Sequence, residues 1–431
     1  MPFEMPPAPR RHIAVIGGGI SGMAAAHLLA EGAEVTLFEA APRLGGHART
    51  VLAGKRGDQP VDTGFIVFNK VNYPHLTGLF DRLEVPYVKS AMSFGASFGG
   101  GSLEYALASL DTLFAQKWRA ADPRFLRMIR DILHFNANAE AALKHPGMTI
   151  GEFLRELGTG PWFRDHYLLP FSGAIWSTPC EGVLEFPAHA LVTFFRNHAL
   201  MSLEGQHQWY TVQGGSVEYV RRLQGLLEAQ GVHLRLGCPV AAVRRGAAPE
   251  VRAVGGVWER FDEVVFATHS DDALHLLADP SPEERAALAA VRYQPNEMVL
   301  HCDESLMPQR RKVWSSWVYC EPKGPKPDRI ALSYWMNSLQ PIPQDDPMFV
   351  TLNATQPIRE ECIYDSATFR HPVYDMAALQ AQQAVRTMNG ARSTWFCGAW
   401  MRNGFHEDGF ASAVDVAEAM AARDTQRITA Q

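Results

Sequence analysis

Apolar and polar positions along this chain follow two rhythms that exchange with one another. Short runs dominated by apolar residues at 13–16, 34–38 and 261–268 read as strands buried on both faces of a sheet. Helical spacing appears at 23–30, where alanines lead to a closing Gly32, and again at 217–230. Further strands are predicted at 232–236, 240–243 and 296–302, and one at 394–400 runs through a glycine towards a helix ending near residue 421. Strand and helix in alternation predict an α/β protein built on a parallel sheet. The intervening chain differs. After Asn72-Tyr73-Pro74 a helix is predicted through residue 83, then helical periodicity over 106–143, then helical patterns interrupted at Pro170, Pro179 and Pro187. Trp314, Trp317, Tyr319, Tyr334 and Trp335 are expected on strands facing that helical region across an apolar channel.

Chemistry enters at the first strand–helix junction. Gly17, Gly19 and Gly22 are spaced as G-x-G-x-x-G between the run at 13–16 and the helix that Ile20 and Ser21 open. In that context the first glycine permits a sharp turn, the second lets a pyrophosphate approach the backbone, and the third lets helix and strand pack closely. Free N–H groups at the helix start favour phosphate. Glu39, with Ala40 beside it, ends the second strand where a carboxylate can accept hydrogen bonds from a ribose diol. Together these predict a dinucleotide site.

Composition narrows the class. A chain of 431 residues predicts two or three domains, and a net charge of −6 argues against a general nucleic-acid binder. Cys180, Cys238, Cys302, Cys320, Cys362 and Cys397 are scattered without a C-x-x-C pair, which reads as reduced thiols of a cytoplasmic protein and not as a disulfide framework or a metal site. Residues 1–11 read as a frayed tail and not a signal peptide, and no run is long enough to span a bilayer. Within 106–143, Leu110, Leu113, Phe114, Trp118, Phe125, Leu126, Met128, Ile129, Leu133 and Phe135 are interleaved with Lys117, Arg119, Arg124, Arg127 and Arg130. That pattern fits a peripheral element on the inner face of the cytoplasmic membrane, and equally a helical domain whose apolar side is core. The aromatics Trp162, Phe163, Tyr167, Phe171, Trp176, Phe186, Phe194 and Phe195 suit a wall for an elongated apolar ligand or, again, a core.

The run from Glu39 through Arg43-Leu44-Gly45-Gly46-His47-Ala48-Arg49-Thr50 resembles the E-A-x-x-R-x-G-G-R-x-x-T segment of the FAD-containing amine oxidase and phytoene desaturase superfamily. The resemblance implies a Rossmann-like FAD-binding domain of glutathione-reductase type, assembled from 10–75, 209–280 and 385–425. A discontinuous α+β substrate domain, a mixed sheet with a helical insert, would come from 76–208 and 281–384. FAD is expected to bind non-covalently, since no cysteine lies in the C-terminal loop. By this resemblance Arg43, Gly45 and Gly46 close over adenosine and pyrophosphate. His47 stands where the family has arginine, with Arg49 as its substitute. Thr63, Gly64, Phe65 and Ile66 approach the flavin end; Val240 meets the adenine; Ala267 and Thr268 lie near the phosphates, with His269 in place of a family glycine. Gly398 ends a strand, and Asp408, Gly409, Phe410 and Ser412 begin a helix aimed at the flavin pyrimidine. His301 falls at the family's flavin-proximal lysine and is the implied base or proton relay.

The motifs L-L-P at Leu168, A-I-W-S at Ala174, R-Y-Q-P-N at Arg292 and G-F-H-E-D-G at Gly404 resemble one bacterial branch of that superfamily. Its best-understood activity is desaturation of methyl-branched, unsaturated phospholipid acyl chains on the route to furan fatty acids. The resemblance implies a phospholipid or fatty acyl substrate, hydride loss to flavin N5 with formation of a conjugated diene, and a partner methyltransferase or electron-acceptor protein, with oxygen, a quinone and a carrier protein all open as the flavin's acceptor. Alternatives within the superfamily are oxidation of polyamines or other amines and carotenoid-type desaturation or isomerisation.

Overall fold

A computed structural model describes residues 10–145, 147–176, 180–202, 205–324 and 329–429. The expected frayed tail lies almost wholly outside these residues, as does the break at Pro179. The expected parallel sheet is present. Its five strands run in the order His233–Arg235, Ala33–Phe38, Arg11–Ile16, Glu263–Phe266 and Thr394–Phe396, and every pairing is parallel. The two faces of the first strand go to different cores. Ile13 and Val15 pack with the helix Ile20–Leu29, whereas Ala14 and Ile16 pack with Phe266 and Phe396 on the other side. Burial on both faces is why the run at 13–16 shows no polar alternation. Ala24, Ala25 and Ala26 are fully or almost fully buried, and their small side chains let the C-terminal helix His406–Thr429 lie close against Ile20–Leu29.

A second, seven-stranded sheet is mixed. Its order is Ile363–Val373, Arg292–His301, Phe349–Leu352, Leu332–Trp335, Trp317–Cys320, Phe94–Phe98 and Leu103–Ala106, with one parallel pair, Trp317–Cys320 on Phe94–Phe98. Helices between residues 110 and 197 cover one face of it and share a core with Phe94, Tyr319 and Leu332. The helical periodicity at 106–143 resolves into pieces: a short helix Leu110–Leu113, a tight turn Lys117–Ala121, and the long helix Pro123–Asn138. Asp122 and Pro123 cause the last break. The Asp122 carboxylate accepts the Arg124 N–H at 3.0 Å, and proline at the first helical position cannot continue a preceding turn. The core reading holds for part of this segment. Phe125, Met128 and Phe135 are fully buried, while Leu110, Trp118, Leu126 and Leu133 are 75%, 59%, 44% and 47% exposed.

Trp314 corrects one expectation and Trp335 another. Trp314 lies just outside a strand, and both tryptophans pack with Phe349 and Met307 on the face of the sheet away from the helices. Side chains alternate faces along a strand, so Trp317, Tyr319 and Tyr334 turn towards the helices and Trp335 turns away. No helix among the described residues is long and apolar enough to cross a membrane. Cys238, Cys302, Cys320, Cys362 and Cys397 are free thiols.

Candidate functional site: a glycine-lined cleft ringed by histidines

The strand–turn–helix at the N-terminus forms a backbone cradle. Gly17 has φ +106°, and a Cβ on Gly22 would sit 1.7 Å from the Gly17 carbonyl oxygen, so only glycine fits there. A Cβ on Gly19 would meet nothing within 4 Å, so that side of the turn is open space. No side chain caps the helix that Ile20, Ser21 and Gly22 begin, and its first turn carries no acid. Its leading N–H groups are therefore left for an outside anion. Gly45 (φ +109°) and Gly46 (φ +55°) lie alongside: the Gly45 N–H donates to the Gly18 carbonyl at 2.8 Å, and a Cβ on Gly46 would be 3.1 Å from the Gly19 Cα.

The polar residues around the cradle mostly hold the backbone. The Glu39 carboxylate accepts the N–H groups of Gly18 at 2.6 Å and Ala41 at 2.7 Å, leaving its further lone pairs for a ligand hydroxyl. Ala40 beside it is exposed, and half-exposed Val240 follows Cys238, whose N–H donates to the Glu39 carbonyl at 2.9 Å. The Arg43 guanidinium donates to the carbonyls of Leu44, Gly46 and Ala48 at 3.1 Å each, stiffening the turn of the glycine pair. Arg49 is not a substitute for the missing family arginine. It is engaged bidentately by Asp365 at 2.5 and 3.0 Å.

The other expected segments converge on the same cleft. The Thr63 N–H donates to the Arg49 carbonyl, and a Cβ on Gly64 would lie 2.0 Å from the His47 carbonyl oxygen, which also accepts the Phe65 N–H at 3.1 Å. Phe65 stacks on His406 at 4.0 Å, tying this turn to the start of the C-terminal helix, and buried Ile66 packs beside Phe369. A Cβ on Gly409 would lie 2.8 Å from Ser21 Oγ, so the starts of the two helices touch. Ser412 Oγ accepts the Gly398 N–H at 2.9 Å and donates to the Gly409 carbonyl at 2.8 Å, locking strand end to helix start. Phe410 is buried, its ring stacked 5.8 Å from His75. The Ala267 N–H continues the sheet to Ile16, and the Thr268 methyl lies against the position of a Gly17 Cβ. Asp408 accepts the N–H groups of Asn403 and Phe405 and caps its own helix; burial pushes its carboxyl up to about 6. Glu407 does not cap that helix. It accepts the N–H groups of His75 and Leu76, each at 2.9 Å, and so caps the helix Pro74–Arg82.

The structure also gathers residues that sequence reasoning did not connect. The His47 ring lies 5.9 Å from His269, 6.0 Å from His371 and 5.0 Å from Phe369. His269 stacks on Tyr293 at 4.2 Å and pairs through Nδ1 with the Arg370 guanidinium at 3.0 Å. Burial, the largest cause in each case, lowers His47 to about 4 and His269, His371 and His406 to about 3, so all four rings are neutral at physiological pH. His269, Asp271 and Asp272 sit close enough to hold a cation, but Arg370 already binds all three. A signal for two of these residues was present, since His47 and His269 mark the places where the chain departs from the superfamily pattern. His371 had none.

His301 is not brought into the cleft. It lies five residues beyond Asn296 on the same strand, about 16 Å further along at ~3.3 Å per residue. It is fully buried, with Nε2 2.8 Å from Thr351 Oγ1 and Nδ1 accepting the Asp303 N–H at 3.1 Å. Burial lowers its pKa to about 4. Both nitrogens hold the sheet together, which leaves none for a substrate.

Aromatic side chains link the core beside the cleft to the core under the helical layer. Half-exposed Trp317 and Tyr334, 5.7 Å apart and edge to face, touch both the cluster around Ile66 and Phe369 and the one around Phe94 and Phe171. The residues present fit FAD. Gly19 leaves room for a diphosphate, the helix start leaves its N–H groups free, and the buried Tyr374 hydroxyl next to Gly404 has no hydrogen-bond partner among the described residues.

Comparisons with known proteins agree with this geometry. Residues 20–344 match the flavin containing amine oxidoreductase family. A hydroxyneurosporene desaturase from Cereibacter sphaeroides is 29% identical over 326 residues, covering 63% of this chain and 60% of that protein. The chain thus aligns with about three fifths of the length of this relative. An N,N-dimethylglycine/sarcosine dehydrogenase from Chromohalobacter salexigens is 45% identical over 62 residues, 14% of this chain and 9% of that one. Among solved structures, a CLA-producing fatty acid isomerase from P. acnes superposes with TM-score 0.69 at 14% identity, covering 95% of this chain and 98% of its own. Putrescine oxidase bound to putrescine superposes with TM-score 0.69 at 15% identity, covering 96% and 99%. At these identities the superpositions show the shared fold.

Proposed function

This chain belongs to the flavin containing amine oxidoreductase family, and from that premise we propose that it is an FAD-dependent desaturase of methyl-branched, unsaturated acyl chains carried on phospholipids. One observation carries the choice of substrate: the side chains that link the core beside the cleft to the helical layer, Trp317, Tyr334, Phe94 and Phe171, are uncharged aromatics. An acyl chain gains free energy by shedding its water among such side chains, whereas an ammonium group would give up its hydration for cation–π contact without a free carboxylate beside it. The acids near the cleft are already engaged: Asp271 and Asp272 by Arg370, Asp365 by Arg49, and Asp408 by two backbone N–H groups. Bound FAD supplies a two-electron acceptor for hydride from an allylic carbon. The chain's residues hold the diphosphate on the cradle, orient the acyl chain along the aromatics, and keep four uncharged imidazoles around the cleft, one of which takes the proton that leaves the neighbouring carbon as the diene forms.

The relative from Cereibacter sphaeroides favours a second reading, desaturation of a carotenoid-type polyene. Anaerobic mixing of the holoprotein with methyl-branched unsaturated phospholipid, a carotenoid or a polyamine, followed at the visible flavin band, separates the readings. Bleaching by the phospholipid alone is expected; bleaching by an amine with none by lipid overturns the proposal. A lipid substrate also gives a role to exposed Trp118, Leu126 and Leu133 beside Arg124, Arg127 and Arg130, which form a surface suited to an anionic bilayer. Co-sedimentation with phosphatidylglycerol-containing vesicles, reduced by Leu126→Asp with Leu133→Asp, is the expected result. Equal pelleting of the double variant would remove this surface from the account. A methyltransferase acting on the same chains would supply the branch, and a separate acceptor protein would take up the electrons.

A further inference from the structure

Three side chains between the second sheet and the cleft fix one another in a single orientation. Asn353 is set by the backbone on both sides: its Oδ1 accepts the Glu297 N–H at 3.0 Å, and its Nδ2 donates to the Ile330 carbonyl at 3.1 Å. The same Nδ2 donates to Asn296 Oδ1 at 2.7 Å. With its oxygen committed there, fully buried Asn296 turns its Nδ2 to His371 Nδ1 at 2.7 Å. An amide nitrogen only donates, so His371 Nδ1 is the acceptor and the ring proton sits on Nε2. Two backbone groups thereby dictate the tautomer of a histidine on a neighbouring strand, with no ambiguity of amide flip.

His371 and Phe369 point to the same face of their strand, and both rings flank His47. His371 Nε2 has no hydrogen-bond partner among the described residues. The His47 carbonyl accepts the Phe65 N–H, Phe65 stacks on His406 at the start of the C-terminal helix, and Phe369 packs with Ile66. Phe65, Ile66 and that helix start are the segments expected at the flavin, and Phe369, on the same strand face as His371, shares their end of the cleft.

We infer that His371 is a fixed Nε2–H donor to the flavin ring, and that Asn296 and Asn353 are positioning residues that hold its tautomer. A donor of this kind stabilises the electron density a flavin gains on reduction and so raises its reduction potential. The inference rests on the assignment of FAD and not on the lipid substrate, so a failure of phospholipid to bleach the flavin leaves it standing.

Two readouts test it without turnover. In the first, the midpoint potential of the bound flavin is measured in a dye-coupled redox titration. His371→Phe is expected to shift the reduction equilibrium at least tenfold towards the oxidised form, about 30 mV for a two-electron couple. His371→Gln, which restores a neutral N–H donor, is expected to stay within threefold of the parent. A potential unchanged in H371F overturns the inference, as does an equal fall in both variants. In the second, histidine 15N NMR compares apoprotein and holoprotein. The expected result is a His371 proton on Nε2 in both states and a resonance that moves when FAD binds. A proton on Nδ1, or an unmoved resonance, overturns it. This second readout decides the matter if H371F no longer retains FAD.

Discussion

Gly22 and Gly19, three positions apart, make opposite demands on an added methyl group. At Gly22 it would collide with the Gly17 carbonyl at 1.7 Å, whereas at Gly19 it would point into open space. Gly22→Ala is therefore expected to cost several kcal/mol and to yield colourless or insoluble protein. Gly19→Ala should leave the apoprotein's melting temperature unchanged but weaken FAD at least tenfold, as fluorescence titration would read. His301 invites a different test. With both ring nitrogens bonded in a dry site, His301→Leu should lose about 1–3 kcal/mol of stability in urea melts yet keep the flavin spectrum and the pH dependence of turnover. A changed pH profile would return His301 to the chemistry. Residue roles are where sequence reasoning fell short, and the reason is physical. The glycine turns were legible because the backbone itself demands them. The partners of Arg49 and His371 lie 316 and 75 residues away, so no local pattern could announce them.

At the scale of elements, strands buried on both faces were the easiest to read, since nothing but apolar side chains survives there. The helical stretch at 106–143 was harder because its apolar residues serve two surfaces, core and solvent, and blur any single stripe. The Asp122-Pro123 pair carried the break in plain view as a cap followed by proline. The C-terminal helix contributes more than its own packing, because Glu407 closes the first turn of Pro74–Arg82. Two N–H groups lose their acceptor in Glu407→Ala, which is expected to lower the unfolding free energy by about 1–2 kcal/mol, read as a lower urea midpoint at an unchanged slope. An unchanged midpoint would mean that the contact is idle.

For the whole molecule, buried imidazoles set the response to acid. His47, His198, His269, His301, His371 and His406 all have folded pKa values of about 3 to 4, below the ordinary 6.5 of an unfolded histidine. Below 6.5 the unfolded chain binds more protons at these six rings than the folded one does. Their contribution is complete above that pH and is lost as pH falls towards 4. Asp62 and Asp408, raised to about 6 by burial, and Asp272 and Glu407, also raised by burial, act in the opposite sense, but they are four against six. The apoprotein should therefore melt at progressively lower temperature between pH 6.5 and 4 in scanning calorimetry; a flat profile would place these rings in water.

The parallel sheet, the glycine turns and both helix starts all converge on one claim, that this cleft holds FAD through its backbone. Titration of refolded apoprotein with FAD, followed by calorimetry, tests it directly. The expected result is one FAD per chain and a melting temperature that climbs with free FAD, as any ligand confined to the native state produces. A protein that takes up no FAD, or whose melting temperature ignores it, would contradict the account.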